Sequence, residues 1–137
     1  MSWTTTRKVE FSHVDGAGIV FYPRYFEMIS SVIEEWFDRC LDYPFDRMHF
    51  HDRRGIPTAE INVTFLAPSR LGDVLEFSVA VPRIGNSSAD VETTCRLGSE
   101  TRFVARQTLV RIDLDTGRPE PWPEAVRARM NGGKDAT

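Results

Sequence analysis

Asp15 is followed by Gly16-Ala17-Gly18 and then by Tyr22, in the stretch HVDGAGIVFYPRYF that spans residues 13–26. A carboxylate can attack an acyl carbon or take a proton from water, and free N–H groups at a helix start can polarise the carbonyl under attack. Glycine lets the chain turn with positive φ and approach a ligand closely, so a glycine turn between an acid and a helix start suits this chemistry. Asp15 is equally suited to capping the turn, because a helix start gathers unpaired N–H groups and partial positive charge. Spacing alone leaves both readings standing. His13 can orient a substrate or assist proton transfer, or be no more than a half-exposed histidine at a strand end.

Other candidates carry less. His49 and His51 form an HxH within DRMHFHDRRG, but two ligands on a polar loop do not make a metal site, and no metal is expected. Arg47, Arg53 and Arg54 in the same loop, together with Arg83, have the charge to meet ligand phosphates or to lie solvated. Glu34 and Glu35 read as the solvated face of a helix, with Glu35 a minor candidate for a second acid. Ser30 and Ser31 lack a GxSxG context. Neither GxGxxG nor GxxxxGK[ST] occurs, which removes the nucleotide-binding folds built on them.

The elements that must hold these residues follow from periodicity. From Tyr22 to about Leu41, Phe26, Ile29, Ile33, Trp36, Phe37, Cys40 and Leu41 recur at three- and four-residue steps, which predicts one long amphipathic helix. Pro23 suits its first turn, and Pro44 closes the segment. Elsewhere the period is two: Val9 and Phe11; Ala59 to Phe65; Leu75 to Val81; Ala89 to Leu97; and roughly Arg102 to Leu114. These are half-buried antiparallel strands. In the last of them Phe103 and Ala105 lie on one parity and Val110, Ile112 and Leu114 on the other, which predicts a bulge near Thr108. Short connections between the later strands favour a meander. A second helix should follow Pro123 and end before Asn131, with the final residues frayed. The class is α+β, with about five strands against one long helix. One helix covers only part of such a sheet, so association with another chain is expected.

With 137 residues the chain fits one domain. Its net charge of -3 offers no field attractive to nucleic acid or anionic membrane. The start, MSWTTTRKVEF, lacks the apolar core of a signal peptide, and no apolar run approaches a membrane span. A soluble, cytoplasmic protein is the expectation. Cys40 and Cys95 have neither CxxC spacing nor a secretory context and read as buried free thiols.

The residues FSHVDGAGIVFYPRYF (11–26) resemble the signature of the 4-hydroxybenzoyl-CoA thioesterase family of the hot-dog superfamily: an Asp, a short gap, Gly, two apolar residues, Tyr and a further aromatic. The strand and helix order agrees with that fold over nearly the whole chain. The resemblance implies a curved antiparallel sheet wrapped around a central helix, with sheets joined in homodimers that commonly pair into homotetramers. It implies an acyl-CoA substrate, aromatic or of short to medium chain length, hydrolysed to free acid and CoA. Asp15 would act as nucleophile or general base, and the Tyr22 amide would bind the thioester oxygen. Gly18 and Ile19 would shape the approach, and Thr58, Glu60 and Asn62 would lie near the acyl pocket. No cofactor is implied, coenzyme A being part of the substrate. The sequence departs from the family at residue 16, a Gly where some members have Pro. It departs again in PRIGNSS (82–88), where Arg83 alone stands for a run of basic residues, so Arg53, Arg54 or Arg70 would have to substitute. Two other readings are a non-catalytic acyl-CoA-binding module and a hot-dog hydratase or dehydratase. The second would need a His-containing signature that is absent.

Overall fold

The computed structural model describes residues 3–132. Helix α1 runs Pro23–Arg39 and buries Tyr25, Met28, Ile29, Val32, Ile33, Trp36 and Phe37. It lies against a five-stranded antiparallel sheet made of β1 (Trp3–Lys8), β3 (Thr58–Phe65), β4 (Val74–Ile84), β5 (Ser88–Leu97) and β6 (Glu100–Val110), in the order β1-β4-β5-β6-β3. The expected meander is β4-β5-β6, while β1 and β3 form the two edges. Leu75, Phe77 and Val79 of β4, Val91 and Cys95 of β5, and Phe103, Ala105 and Leu109 of β6 alternate into the core under α1. Trp122 and Val126 close the core beside helix α2 (Glu124–Met130), which stops before Asn131 as its sequence predicts. The fraying expected of the final residues falls beyond residue 132, outside the described range.

Four expectations are corrected. The first strand is not centred on Val9 and Phe11. Val9 is buried just past the end of β1, and Phe11–His13 is a 3-10 turn that leaves Phe11 exposed. The inward residues of β1 include Thr5 and Arg7, so its pattern carried no apolar alternation. These two meet Glu35: the Thr5 hydroxyl donates to Glu35 Oε1 at 2.9 Å, and Arg7 contacts the same oxygen at 2.8 Å. Glu35 is therefore a tie between α1 and an edge strand rather than part of a solvated face.

The bulge is displaced as well. In β6 the buried parity runs unbroken through Phe103, Ala105, Gln107 and Leu109 to Arg111. The polar Gln107 and Arg111 hide it from an apolar pattern. The extra residues are Ala59 in β3, opposite Thr108 and Leu109, and Arg102 in β6, opposite Cys95 and Arg96. Ile112 and Leu114 belong to a separate feature, in which β2 (Arg54–Gly55) pairs with β7 (Ile112–Asp113). Finally, the histidine loop is ordered. Arg47–His51 is a π-helical turn with Met48 buried, and the His49 and His51 rings bond to the Phe45 carbonyl and to Asp52. Among the described residues no cluster of three or more metal-ligating side chains occurs.

Candidate active site

Asp15 sits in the link between the 3-10 turn and α1. Its carboxylate Oδ1 accepts from the Ala17 amide at 2.8 Å, and its carbonyl accepts from the Gly18 amide at 3.0 Å. The Asp15 amide in turn donates to the Ile19 carbonyl at 3.0 Å. Three residues are thus bound back onto one acid, a turn that asks Gly18 for φ +79, a conformation side chains resist. Asp15 therefore does cap the turn, and it does so with one oxygen while remaining solvent-exposed.

The helix start opposite is unusual in how its donors are spent. Arg24 donates to the Phe21 carbonyl at 2.8 Å and Tyr25 to the Tyr22 carbonyl at 3.1 Å, while Phe21 reaches back to the His13 carbonyl at 2.9 Å. Pro23 has no N–H to offer. Among the described residues, no acceptor meets the Tyr22 amide, so the partial positive charge of the helix end is presented through one N–H. Tyr22 has helical φ/ψ, which holds that N–H along the axis. Beside it a shallow apolar cleft of about 320 Å³ is lined by Val20, Tyr22, Tyr25, Phe65 and Leu66. The Tyr22 ring meets Phe65 edge-on at 6.2 Å, and Tyr25 stacks on Phe65 at 5.7 Å.

His13 is half-buried, and its Nδ1 accepts from the Glu10 amide at 2.8 Å. In the neutral ring this leaves the proton on Nε2, the nitrogen free to donate. Ile19 is joined to Arg70 by an isolated antiparallel bridge. Arg70 therefore stands at the site, and among the described residues its side chain makes no ion pair. The other candidate arginines are engaged: Arg47 with the Asp42 carbonyl at 2.8 Å, Arg53 with Asp115 at 2.7 Å, Arg54 with Glu120 at 3.0 Å, and Arg83 loosely with Asp90 at 4.0 Å.

The remaining candidates are not gathered around Asp15 within one chain. Tyr22 packs at the Phe65 end of β3, whereas Thr58 begins that strand, about 23 Å away at the usual strand rise. Arg83 is likewise nine residues along β4 from Val74, which pairs with Lys8 near the site, so it lies about 30 Å off. The bulge at Ala59 also separates two neighbours. Ile61, Val63 and Phe65 share the inner face with their partners Gln107, Ala105 and Phe103, and Glu60 and Asn62 face outward. Past the bulge Thr58 turns inward, where its hydroxyl accepts from Gln107 Nε2 at 3.0 Å. There it edges a mainly apolar groove of about 350 Å³ between α1, the π-helical turn and β6, with Ile33, Phe45, His49, Gln107 and Leu109 among its walls. The sequence marks Gln107 only as a polar residue at a buried parity.

Residues 9–130 match the model of the thioesterase-like superfamily. The chain belongs to that superfamily, and thioester hydrolysis is the activity class this membership carries. No curated protein sequence matches the chain significantly. Among solved structures it is similar to a 1,4-dihydroxy-2-naphthoyl-CoA thioesterase from Synechocystis, with 18% identity over 96% of both chains and a TM-score of 0.86. It is similar to a gentisyl-coenzyme A thioesterase, with 22% identity, 91% of this chain and 99% of the other covered, and a TM-score of 0.82. A Staphylococcus aureus protein solved in complex with CoA shares 16% identity over 96% of this chain and 83% of its own, with a TM-score of 0.85. At these identities the likeness is one of fold, and the fold is the hot-dog: a curved antiparallel sheet around a long helix.

Proposed function

We propose that the protein is a cytoplasmic acyl-CoA thioesterase of the 4-hydroxybenzoyl-CoA thioesterase type, acting on an aromatic or short- to medium-chain acyl group. One observation carries this reading: an exposed carboxylate in a glycine turn beside a helix start whose single unspent N–H is that of Tyr22. The Tyr22 amide would bind the thioester carbonyl oxygen, where negative charge grows as the tetrahedral intermediate forms. Asp15 would either attack the carbonyl carbon, expelling CoA thiolate and leaving an anhydride that water cleaves, or remove a proton from the water that attacks. Either route consumes one water and yields acid and CoA, with no metal or redox cofactor. Two of the similar structures are thioesterases of CoA esters and a third was solved with CoA, which supports the choice of carrier.

The reading includes a second copy of the chain. β3 is an edge strand exposed along nearly its whole length and carries a single charged residue, Glu60. The β1 edge, by contrast, ends in Arg7 and Lys8, which discourage pairing. Antiparallel pairing of two β3 strands about a two-fold axis would bring the Thr58 end of one chain to the Phe65 end of the other. The groove edged by Thr58 and Gln107 would then face the partner's catalytic turn and receive the acyl group, and Arg70 would meet the CoA phosphates.

Release of free thiol from a panel of aryl and alkyl CoA esters, and from the same acyl groups on acyl carrier protein, tests the activity and the carrier. Asp15→Asn should lower kcat by roughly a hundredfold or more. Unchanged turnover would sink the assignment. Label from ¹⁸O-water in Asp15 after a single turnover would identify the anhydride route with water attacking the aspartyl carbonyl, and capture of an acyl-enzyme by hydroxylamine would identify it where water attacks the substrate carbonyl instead.

A further inference from the structure

Arg102 is the extra residue of the β6 bulge, and the bulge turns a charged side chain into the interior where strand alternation would have placed it outside. Its side chain is only 10% exposed. Through Nη1 it donates to the Pro68 carbonyl at 2.9 Å, to Ser69 Oγ at 3.1 Å and to Asp73 Oδ2 at 3.0 Å. Its Nε lies 2.8 Å from Glu100 Oε1, a charge contact in which the N–H is not aligned on the oxygen. Its own carbonyl accepts from the Leu66 amide at 2.8 Å and from Ala67 at 3.2 Å. One residue thus grips the whole 66–73 loop from both main chain and side chain.

That loop is the surface on which the catalytic turn is laid. The Ser69 carbonyl accepts from the Val20 amide at 2.9 Å, and the Leu71 amide donates to the Gly18 carbonyl at 3.3 Å. Ser69 also neighbours the Tyr25 phenol in the first turn of α1; burial pushes that phenol's pKa up and Ser69 opposes the rise. Every link from Arg102 to the limb between Asp15 and Tyr22 is therefore a hydrogen bond, through one loop with no regular ladder of its own.

We propose that Arg102 is a positioning residue for the reaction. It touches no substrate, and it fixes the separation of the Asp15 carboxylate and the Tyr22 amide by holding loop 66–73 against Gly18 and Val20. A sub-ångström to 1 Å relaxation of that loop would be transmitted to both groups, and misplacement on this scale costs about a hundredfold in rate at a preorganised site. The inference rests on the thioesterase reading for its kinetic arm and on the hydrogen-bond path alone for its exchange arm.

The test is Arg102→Met and Arg102→Lys, each checked by thermal melting and assayed well below its transition. Lysine keeps three donors on one nitrogen and should recover part of what methionine loses. Arg102→Met should lower kcat by about tenfold to a hundredfold with KM within about twofold, and Arg102→Lys should fall between it and the parent. In amide hydrogen exchange, Val20 and Leu71 should lose protection by about tenfold or more in the methionine variant while Val91 in the centre of β5 keeps its own. Unchanged exchange at Val20 and Leu71 would overturn the proposal, as would loosened exchange with full kcat. A wild-type protein that hydrolyses no thioester would remove the assigned function and leave the exchange arm to decide the mechanical link. If Arg102→Met fails to fold, Arg102→Lys against the parent decides both arms.

Discussion

At the residue scale the two oxygens of Asp15 are not equivalent: Oδ1 holds the turn through the Ala17 amide, and Oδ2 would be the one left for the proposed chemistry. The thiols behave differently. Burial pushes the Cys95 thiol up to about 12, and burial also raises Cys40. At neutral pH neither is a ready thiolate. Native protein should therefore react with Ellman's reagent far more slowly than protein in guanidinium, with Cys95 the slower site, so the thiol assay of turnover should carry little background. Glu35 supplies a pH signature. Burial opposes its ionisation, but hydrogen bonds from Arg7 and Thr5 and the nearby charge of Arg7 hold its carboxyl below the ordinary glutamate value. A carboxylate with a lowered folded-state pKa lends stability that is fully present above its unfolded value and is lost as pH falls through the folded one. Glu35→Gln should accordingly lower the melting temperature at pH 7, and the gap to wild type should close as the pH drops below the ordinary glutamate range. A gap that is constant with pH would assign Glu35 a role independent of its charge.

At the scale of elements, the turn before α1 depends on its two glycines unequally. Gly18 has φ +79, while Gly16 does not lie in the positive region, and a Cβ at either would meet nothing within 4 Å. Gly18→Ala should cost about 1 to 2 kcal/mol and slow turnover, since a side chain strains that backbone. Gly16→Ala should be neutral or slightly stabilising. Denaturant unfolding of the pair reads the contrast directly. This turn, α1 and the β4-β5-β6 meander were legible in the sequence because their signals are local: glycine spacing, a period near 3.6, and apolar alternation. What escaped had its cause in partners distant in sequence. β1 alternates Thr5 and Arg7 inward because Glu35 waits for them, and β6 hides its parity because Gln107 meets Thr58 on the edge strand and Arg111 meets Tyr43 past the end of the helix. The Ala59 bulge, which parts Thr58 from Glu60, leaves no mark that a single strand could show. The spacing of Asp15 and Tyr22 was readable, but the spending of every other donor at that helix start was not.

For the whole molecule, the exposed apolar residues Tyr22, Ile61, Phe65 and Leu66 follow β3 and the mouth of the cleft beside Tyr22. Sedimentation equilibrium at micromolar concentration should show association, and Ile61→Lys should shift the population toward monomer and lower activity together, because each groove would lose its partner's acid. A fully active monomer would break that coupling. The other edge has a consequence for how far assembly by sheet pairing can go. Of the two edges, β1 ends in the charged Arg7 and Lys8, which leaves β3 as the strand better suited to pairing. A self-complementary contact uses that strand up on both sides at once, so the sheet doubles and then stops. A second open edge would turn the same pairing into a ribbon without end; with β3 pairing alone, growth of the sheet would be limited by arithmetic rather than by affinity.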